Sequence, residues 1–491
     1  MVDGRRSVGM ILALAGAVAL IAVAGLASAH GATGMAGAGA AAPTGTWRTA
    51  REVPGTAAIN KGGYAQVNSV SCSSPGYCSA GGWYTGSSGR EVAFVVTESK
   101  GTWHTAIELP GITALSNSGN SAVYSVSCAS QGNCSAGGYY TNNGDQAFVV
   151  REVDGVWRKA VEVPGSAALN TGGLAWLNSV SCTSRGNCTA GGVYLAATTT
   201  YQPFVVSEVN GTWHNAIRVP GINSSPAKGH VGPTAQVSSV SCVSAGNCSI
   251  GGSYYDSVNI QAFVGSQVNG KWRNAVKVPG TSTLNKGEAR ITSVSCGSAG
   301  NCGAGGWYTD SRGFEQMMVV NEVNGAWRNA IEVPGSAALN KGDVAQINSV
   351  SCASAGSCGA GGDYMGSSSL SEPLIVSEVR GTWQKAVRLP GITALTNHIF
   401  GTVASVSCSS QGNCSAGGWY TDSADHPQPF VVSEVNGTWR NAIKVPGIAV
   451  INKGVDAFIS SVSCGSASNC SAFGGYTDSA KRRQVFVVRR T

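Results

Sequence analysis

Charged side chains are scarce in this chain, and so are segments with helical periodicity. Only 12% of its 491 residues are charged, and no stretch after the N-terminal leader has the apolar spacing of an amphipathic helix, which excludes a helical fold. The formal net charge is +7, but five positive charges lie at the C-terminus and the body of the chain is close to neutral. No nucleic-acid partner is therefore expected, and the terminal group is interpreted as a solvated end. Its members are Lys481, Arg482, Arg483, Arg489 and Arg490.

Residue patterns that carry catalysis or hold a metal are missing as well. The chain has six histidines, and none stands in a His/Glu metal spacing or completes a Ser/His/Asp set. His230, which lies in an insertion at 223–233, and His398 break the repeat described below, and each is interpreted as a surface residue. We expect no metal and no cofactor, and no catalytic residue can be assigned.

The chain does contain a unit of about 56 residues that is present eight times. Each copy carries the element Ser-Val-Ser-Cys and a second cysteine six residues after the first, and together the copies use all 16 cysteines. A metal site is the alternative to disulfides, but no histidine recurs beside the pairs, so eight local disulfides are expected. The predicted pairs are Cys72–Cys78, Cys128–Cys134, Cys182–Cys188, Cys242–Cys248, Cys296–Cys302, Cys352–Cys358, Cys408–Cys414 and Cys464–Cys470.

The N-terminus has the features of a secretory signal. Arg5 and Arg6 precede an apolar run from Val8 to Leu26, and small residues then predict cleavage after Ala29. Residues 30–43 are rich in Ala and Gly and are predicted to form a linker. The mature protein is expected to be secreted or held at the cell surface, where disulfides persist. A leader that is retained as a membrane anchor is the alternative, and no other membrane segment is expected.

Each unit is predicted to form four short antiparallel strands. In the unit Gly101–Val150 they are a Trp strand with Trp103 and Ile107 on one face, a Ser-Val-Ser-Cys strand, a strand from the second cysteine, and a strand around Phe148. Asn-Gly and Asp-Gly pairs before the Trp strands are hairpin signals. Eight such units over residues 44–491 predict an all-β, eight-bladed β-propeller, with an open β-solenoid as the alternative. Because the last unit lacks a Trp strand, the strand of Trp47 is predicted to join the last blade and close the ring.

Aromatic residues beside Thr or Asp recur where the strand after the second cysteine ends, and these are the candidate ligand-binding residues. Such side chains can stack on sugar rings and bond to sugar hydroxyls, and the most variable loop of the unit follows them. The alternative is that they only cover blade edges. The candidates are Trp83, Tyr84, Tyr139, Tyr140, Tyr254, Tyr255, Trp307, Tyr308, Asp310, Trp419, Tyr420, Asp422, Tyr476 and Asp478.

Two further sets of recurring residues are interpreted as packing between blades or as blade structure. The tryptophans are Trp47, Trp103, Trp157, Trp213, Trp272, Trp327, Trp383 and Trp439. The glutamates are Glu98, Glu152, Glu208, Glu322, Glu378 and Glu434.

The element Ser433-Glu434-Val435-Asn436-Gly437-Thr438-Trp439 resembles the Asp-box (the bacterial neuraminidase repeat) of sialidase-type propellers, Ser-x-Asp-x-Gly-x-Thr-Trp. The resemblance lies in the Gly-Thr-Trp end, while the spacing is one residue short and the Asp is missing. The mature span also resembles secreted actinobacterial repeat proteins with recurring Ser-Val-Ser-Cys units, which are taken as sialidase-like or similar propellers without an assigned activity. Sialidases use an arginine triad, a Tyr/Glu pair and an Asp, and none of these can be placed on this sequence.

Three functions remain open on these grounds. The first is a secreted, non-catalytic, monomeric propeller that binds a glycan or an extracellular protein through loops on one face. The second is a glycoside hydrolase of the sialidase type, and the third is a purely structural surface protein.

Overall fold

The structure, a computed structural model, describes residues 45–226, 232–367, 370–396 and 399–491. Within them the chain forms eight antiparallel β-sheets in a ring, which confirms the predicted all-β, eight-bladed β-propeller. The predicted leader 1–29 and linker 30–43, together with His230 and His398, lie outside the described residues.

Each blade consists of an inner strand, a second strand, a third strand and a short outer edge. The inner strands are Ala65–Ser74, Ser121–Ser130, Ala175–Ser184, Gln236–Ser244, Ala289–Ser298, Ala345–Ser354, Gly401–Ser410 and Ala457–Ser466. The second strands are Tyr77–Thr85, Asn133–Thr141, Asn187–Ala197, Asn247–Tyr255, Asn301–Thr309, Ser357–Met365, Asn413–Thr421 and Asn469–Thr477. The third strands are Glu91–Ser99, Asp145–Val153, Thr200–Val209, Ile260–Val268, Glu315–Val323, Ser371–Val379, Pro427–Val435 and Arg483–Arg490. We number the blades 1 to 8 in this order.

The outer edge of a blade is formed by two separate segments instead of one continuous Trp strand. In blade 1 the N–H of Ala106 does not pair with the third strand but donates to the carbonyl of Pro54 at 2.7 Å. This contact interrupts the alternation of buried and exposed side chains along the predicted Trp strand. As a result Ala106 and Leu109 are buried, whereas Ile107 is 44% exposed. The segments are Thr102–Trp103 and Ile107–Glu108, Val156–Trp157 and Val161–Glu162, Thr212–Trp213 and Ile217–Arg218, Lys271–Trp272 and Val276–Lys277, Ala326–Trp327 and Ile331–Glu332, Thr382–Trp383 and Val387–Arg388, and Thr438–Trp439 and Ile443–Lys444.

Single-turn helices, which the sequence patterns did not predict, follow the Pro-Gly pairs in seven of the described loops. Each begins after a glycine with positive φ, such as Gly55 at 85°, a conformation that most other residues adopt only with strain. The helices are Thr56–Ile59, Ile112–Ser116, Ser166–Leu169, Thr281–Leu284, Ser336–Leu339, Ile392–Leu395 and Ile448–Ile451.

Pairs of serines join the inner strands of adjacent blades. Ser69 of blade 1 accepts a hydrogen bond from the N–H of Val126 at 3.0 Å, and Ser71 accepts one from the N–H of Cys128 at 2.9 Å. These N–H groups point away from the blade's own second strand, so they would otherwise be buried without an acceptor. The same two bonds recur at every blade interface, and we call the sixteen serines the serine belt. The belt explains both serines of the Ser-Val-Ser-Cys element.

The eight predicted cysteine pairs are all disulfide-bonded, between the inner and second strands of each blade. The recurring Trp and Glu residues connect neighbouring blades, as interpreted. Glu152 accepts hydrogen bonds from Ser79 at 2.8 Å and from Thr97 at 2.7 Å. Trp157 donates its indole N–H to Thr97 at 3.0 Å.

The two ends of the described chain meet in blade 8. Arg51–Glu52 pairs with the last strand, and the N–H of Thr46 donates to the carbonyl of Thr491 at 2.9 Å. Arg490, at 2% exposure, donates to the carbonyl of Gly45 at 3.1 Å. Arg489 forms an ion pair with Glu98 at 3.1 Å. The interpretation of the C-terminal basic group as a solvated end is therefore wrong for Arg489 and Arg490. It is also wrong for the half-buried Arg483, whose guanidinium packs on Phe458 and Tyr64.

Candidate ligand-binding face

The hairpins of each blade place different residues on the two faces of the ring. The disulfides, and the hairpin turns that lie between the two cysteines of each pair, are at one end of the strands, which we call the disulfide face. The C-terminal ends of the second strands, with Trp83 and its counterparts, lie at the other end, which we call the aromatic face. The variable loops between second and third strands also lie on the aromatic face.

Five of the candidate tyrosines are core residues. The rings of Tyr84, Tyr140, Tyr308, Tyr420 and Tyr476 are only 2–6% exposed. Tyr140 donates its hydroxyl to Glu162 at 2.8 Å, and Tyr476 donates to Glu52 at 2.6 Å. Burial, together with the nearby Glu108 carboxylate, raises the pKa of Tyr84 to about 12. The faces of these five rings are therefore not accessible to a ligand.

The three candidate aspartates close the hairpin loops in which they lie. Asp310 accepts hydrogen bonds from the N–H groups of Arg312 at 2.8 Å and Phe314 at 3.1 Å, and from the side chain of Gln316 at 3.2 Å. Burial alone would raise the pKa of Asp310, but the Arg312 guanidinium and these N–H groups lower it below its usual value. Asp422 and Asp478 have the same kind of loop contacts.

Tyr254 and Tyr255 are displaced by one position relative to the other aromatic pairs. The strand register places Ser253 where Tyr139 lies in blade 2, because Ser253 pairs with Ala262 as Tyr139 pairs with Ala147. Tyr254 therefore occupies the position of the buried Tyr140, and it packs against Phe263 with ring centroids 6.4 Å apart.

The remaining candidates are half-buried and contact a second aromatic or cationic group. Trp83 stacks on Tyr64 with centroids 4.9 Å apart and an interplanar angle of 8°. Trp419 meets Phe400 edge-on at 5.1 Å. The guanidinium of Arg290 lies over Trp307 at 6.0 Å. These rings stay partly accessible on the aromatic face.

Six aromatic residues of four consecutive blades form a continuous set, which we call the aromatic arc. They are Phe458 of blade 8, Tyr64 and Trp83 of blade 1, Tyr124 and Tyr139 of blade 2, and Trp176 of blade 3. Arg483 bridges blades 8 and 1, since its guanidinium lies 4.2 Å from the Phe458 ring and 5.2 Å from the Tyr64 ring.

Ring contacts and hydrogen bonds continue the arc through blades 2 and 3. Tyr139 lies 5.4 Å from Tyr124 and 6.2 Å from Trp176, measured between ring centroids. Tyr139 donates its hydroxyl to Glu91 of blade 1 at 2.9 Å. Trp176 donates its indole N–H to Asp145 of blade 2 at 2.8 Å. Every junction from blade 8 to blade 3 therefore carries at least one contact.

An acidic group on the opposite part of the aromatic face was missed by the sequence reasoning. It consists of Glu288, Glu315, Asp343 and Asp363 in blades 5 and 6. Burial is the main cause that raises the pKa of Glu315 to about 7, and Glu288, Asp363 and Asp343 raise it further against the effect of Arg290. Asp363 takes the position of Trp83 and Trp307, so an alignment of the repeats by strand register would have revealed it.

Among the described residues, two groups bring three atoms of metal-ligand type together, and each consists of a disulfide and a buried glutamate, either Glu152 or Glu378. The sulfurs in these groups are already bonded to each other. In the same described ranges, no helix is long and apolar enough to span a bilayer. The eight disulfides indicate an oxidising, extracellular setting.

Fold and site together define the class of protein, a disulfide-bonded eight-bladed β-propeller. No family model matches the chain, and no curated protein matches it. Among solved structures, Sqt1 of Chaetomium thermophilum bound to the N-terminus of ribosomal protein L10 is similar, with a TM-score of 0.49 at 11% identity over 88% of this chain and 98% of that one. The BP39L lectin of Burkholderia pseudomallei is similar with a TM-score of 0.45 at 14% identity, over 78% of this chain and 99% of the lectin chain. A subtype N11 neuraminidase-like protein of A/flat-faced bat/Peru/033/2010 is similar with a TM-score of 0.36 at 11% identity, over 96% of this chain and 95% of that one.

Proposed function

We propose that this protein is a secreted, non-catalytic propeller that binds a glycan through the aromatic arc. The observation that carries the proposal is the arc, in which half-buried rings of four blades are joined at each blade interface by Arg483, by the Tyr139–Glu91 hydrogen bond or by the Tyr139–Trp176 ring contact. Aromatic faces provide apolar contact for sugar rings at a low cost in side-chain entropy. Glu91, Asp145 and Arg483 stand beside the rings and supply groups that can bond to hydroxyls.

The arc predicts one extended site rather than eight equivalent ones. Blade 4 has Ser253 at the position of Tyr139, and blade 6 has the buried Asp363 there. A ligand on the arc would therefore span several sugar units along blades 8 to 3. Secretion after cleavage at Ala29 and a monomeric state are parts of the same proposal, and the intact mass of exported protein tests the cleavage.

A glycan array with the mature protein from His30 onward, kept under non-reducing conditions, tests this function. Binding to one class of oligosaccharide is expected, and the double variant Trp83→Ala/Tyr139→Ala should lose it. The matched control is Trp307→Ala/Trp419→Ala, which removes two half-buried rings outside the arc and should bind normally. A blank array would contradict the glycan proposal and favour a protein ligand or a structural role.

A glycoside hydrolase of the sialidase type is the second candidate, and the environment of Glu315 favours it. A carboxyl with a pKa of about 7 can act as a general acid at neutral pH. Turnover of a fluorogenic glycoside panel by the wild-type protein, abolished in Glu315→Gln, would support this activity. Zero turnover across the panel would remove it.

A further inference from the structure

The crevices between blades on the disulfide face differ in size. The crevice between blades 3 and 4 encloses about 490 Å³. The crevices between blades 2 and 3, 4 and 5, and 6 and 7 enclose about 280, 270 and 250 Å³. The larger crevice lies at the opposite end of the strands from the aromatic arc, so a site there would be separate from the proposed glycan site.

The larger crevice differs from the next one, between blades 4 and 5, at two positions. His214 occupies the position of Arg273 in the next blade. The N–H of His214 donates to the backbone carbonyl of Ser207 at 3.0 Å, and the N–H of Arg273 donates to the backbone carbonyl of Ser266 at the same distance. Gln267 occupies the position of Glu322. A histidine is shorter than an arginine, so its side chain fills less of the crevice mouth.

Gln267, one of the residues that line the crevice, also has a buried acceptor without a partner. Its amide nitrogen donates to the carbonyl of Gly270 at 3.2 Å and to the hydroxyl of Ser207 at 3.4 Å. Gln267 is 4% exposed, and its Oε1 has no hydrogen-bond partner among the described residues. In the neighbouring crevice the equivalent Glu322 accepts from Ser249 at 2.8 Å and from Ser266 at 2.6 Å. A buried acceptor without a donor is unfavourable, so the Gln267 oxygen would gain from a hydroxyl supplied by a ligand.

Apart from Glu208, the remaining lining carries no charged side chain and combines one aromatic ring with small polar groups. Trp272 is half-buried and presents an apolar surface, and Asn215 and Thr189 can bond to hydroxyls. The carboxylate of Glu208 lies there too, but it already accepts from Arg151 at 3.0 Å and from Ser135 at 3.4 Å. No free charge is thus available to hold an ionic ligand by pairing with it.

We propose that the crevice between blades 3 and 4 binds a neutral sugar unit. Gln267 Oε1 accepts a hydrogen bond from a sugar hydroxyl, and Trp272 packs on the sugar ring. The volume suits one or two sugar units, within the usual range for small-ligand sites. Free monosaccharides and the terminal residue of a glycan share this chemistry. Comparing monosaccharides, methyl glycosides and oligosaccharides with the same terminal sugar would distinguish these two sources.

Saturation-transfer NMR of the mature, disulfide-intact protein with a panel of neutral monosaccharides and their methyl glycosides tests the proposal, followed by titration of the best ligand. Gln267→Leu should weaken binding by about tenfold or more. His214→Arg, which introduces the side chain that the next crevice carries, should abolish binding. Arg273→His, the reverse change in the next crevice, should leave affinity unchanged.

Thermal unfolding of each variant establishes that it is folded. If Gln267→Leu fails to fold, His214→Arg decides alone, because an arginine at that position is already accommodated in blade 4. The proposal is overturned if no neutral sugar binds, or if sugar binds with equal affinity to the wild type and to His214→Arg.

Discussion

Val70 donates its backbone N–H to the hydroxyl oxygen of Ser461 at 3.1 Å, although 391 residues separate them in the chain. Cys72 donates to Ser463 in the same way at 2.9 Å. These two bonds join the last blade to the first and are of the same kind as the bonds at the other blade interfaces. The serine belt therefore runs around the whole ring without a gap.

Replacing Ser461 tests the contribution of the belt to stability. In Ser461→Ala the buried N–H of Val70 loses its acceptor, and we expect the free energy of unfolding to fall by about 1–3 kcal/mol. Guanidinium denaturation of the disulfide-intact protein measures the change. Ser87→Ala, in an exposed loop of blade 1, is the control and should be neutral. Equal stability of both variants would show that the belt serines do not stabilise the ring.

Removing the N-terminal strand tests whether it holds the ring closed. A chain that starts at Pro54 lacks the bonds of Thr46 to Thr491 and of Arg48 to Arg489, and it exposes the outer edge of blade 8. We expect it to lose about 3 kcal/mol or more of stability and to aggregate more readily. A chain that starts at Gly45 should match one that starts at His30. If the chain from Pro54 unfolds at the same temperature as these two, closure does not depend on this strand.

Glu315 predicts a dependence of stability on pH. Its pKa is raised to about 7 in the folded protein, so the folded state holds this proton more tightly than the unfolded state does. Its contribution to stability is therefore largest at low pH and is lost as the pH rises from about 4.5 to about 7. Carboxyl NMR should give a midpoint near 7, and the melting temperature of Glu315→Gln should decline less over this range than that of the wild type. An ordinary midpoint near 4.5 would refute the prediction.

The disulfides predict a further stability effect. Each closes a loop with a sequence separation of only 6 residues, so the chain-entropy model gives about 2 kcal/mol per bond. We expect Cys352→Ser/Cys358→Ser to lose about that amount, measured by denaturation under non-reducing conditions. A thiol assay on the denatured, unreduced wild type should find no free thiol. Several titratable thiols would contradict the bonding of all eight pairs.

The number and spacing of the sequence repeats were sufficient to predict the fold. The regular spacing of Ser-Val-Ser-Cys, the second cysteine and the Trp hairpin predicted eight blades and eight disulfides, because these depend on local strand pairing and short loops. Sequence periodicity did not predict the broken outer edge. There Ala106 bonds to Pro54 of the neighbouring loop, a contact that no local pattern encodes.

The sequence by itself determined which residue types stand at the ends of the second strands, but only the tertiary structure decided which of them face solvent. Tyr140 and Tyr139 are neighbours with alternating directions, so one is buried against Phe148 and the other joins the aromatic arc. The arc, the acidic group around Glu315 and the crevice at Gln267 each combine side chains from different blades. Residues about 55 positions apart meet there because the blades stack face to face around the ring, and that proximity arises only when the ring is assembled.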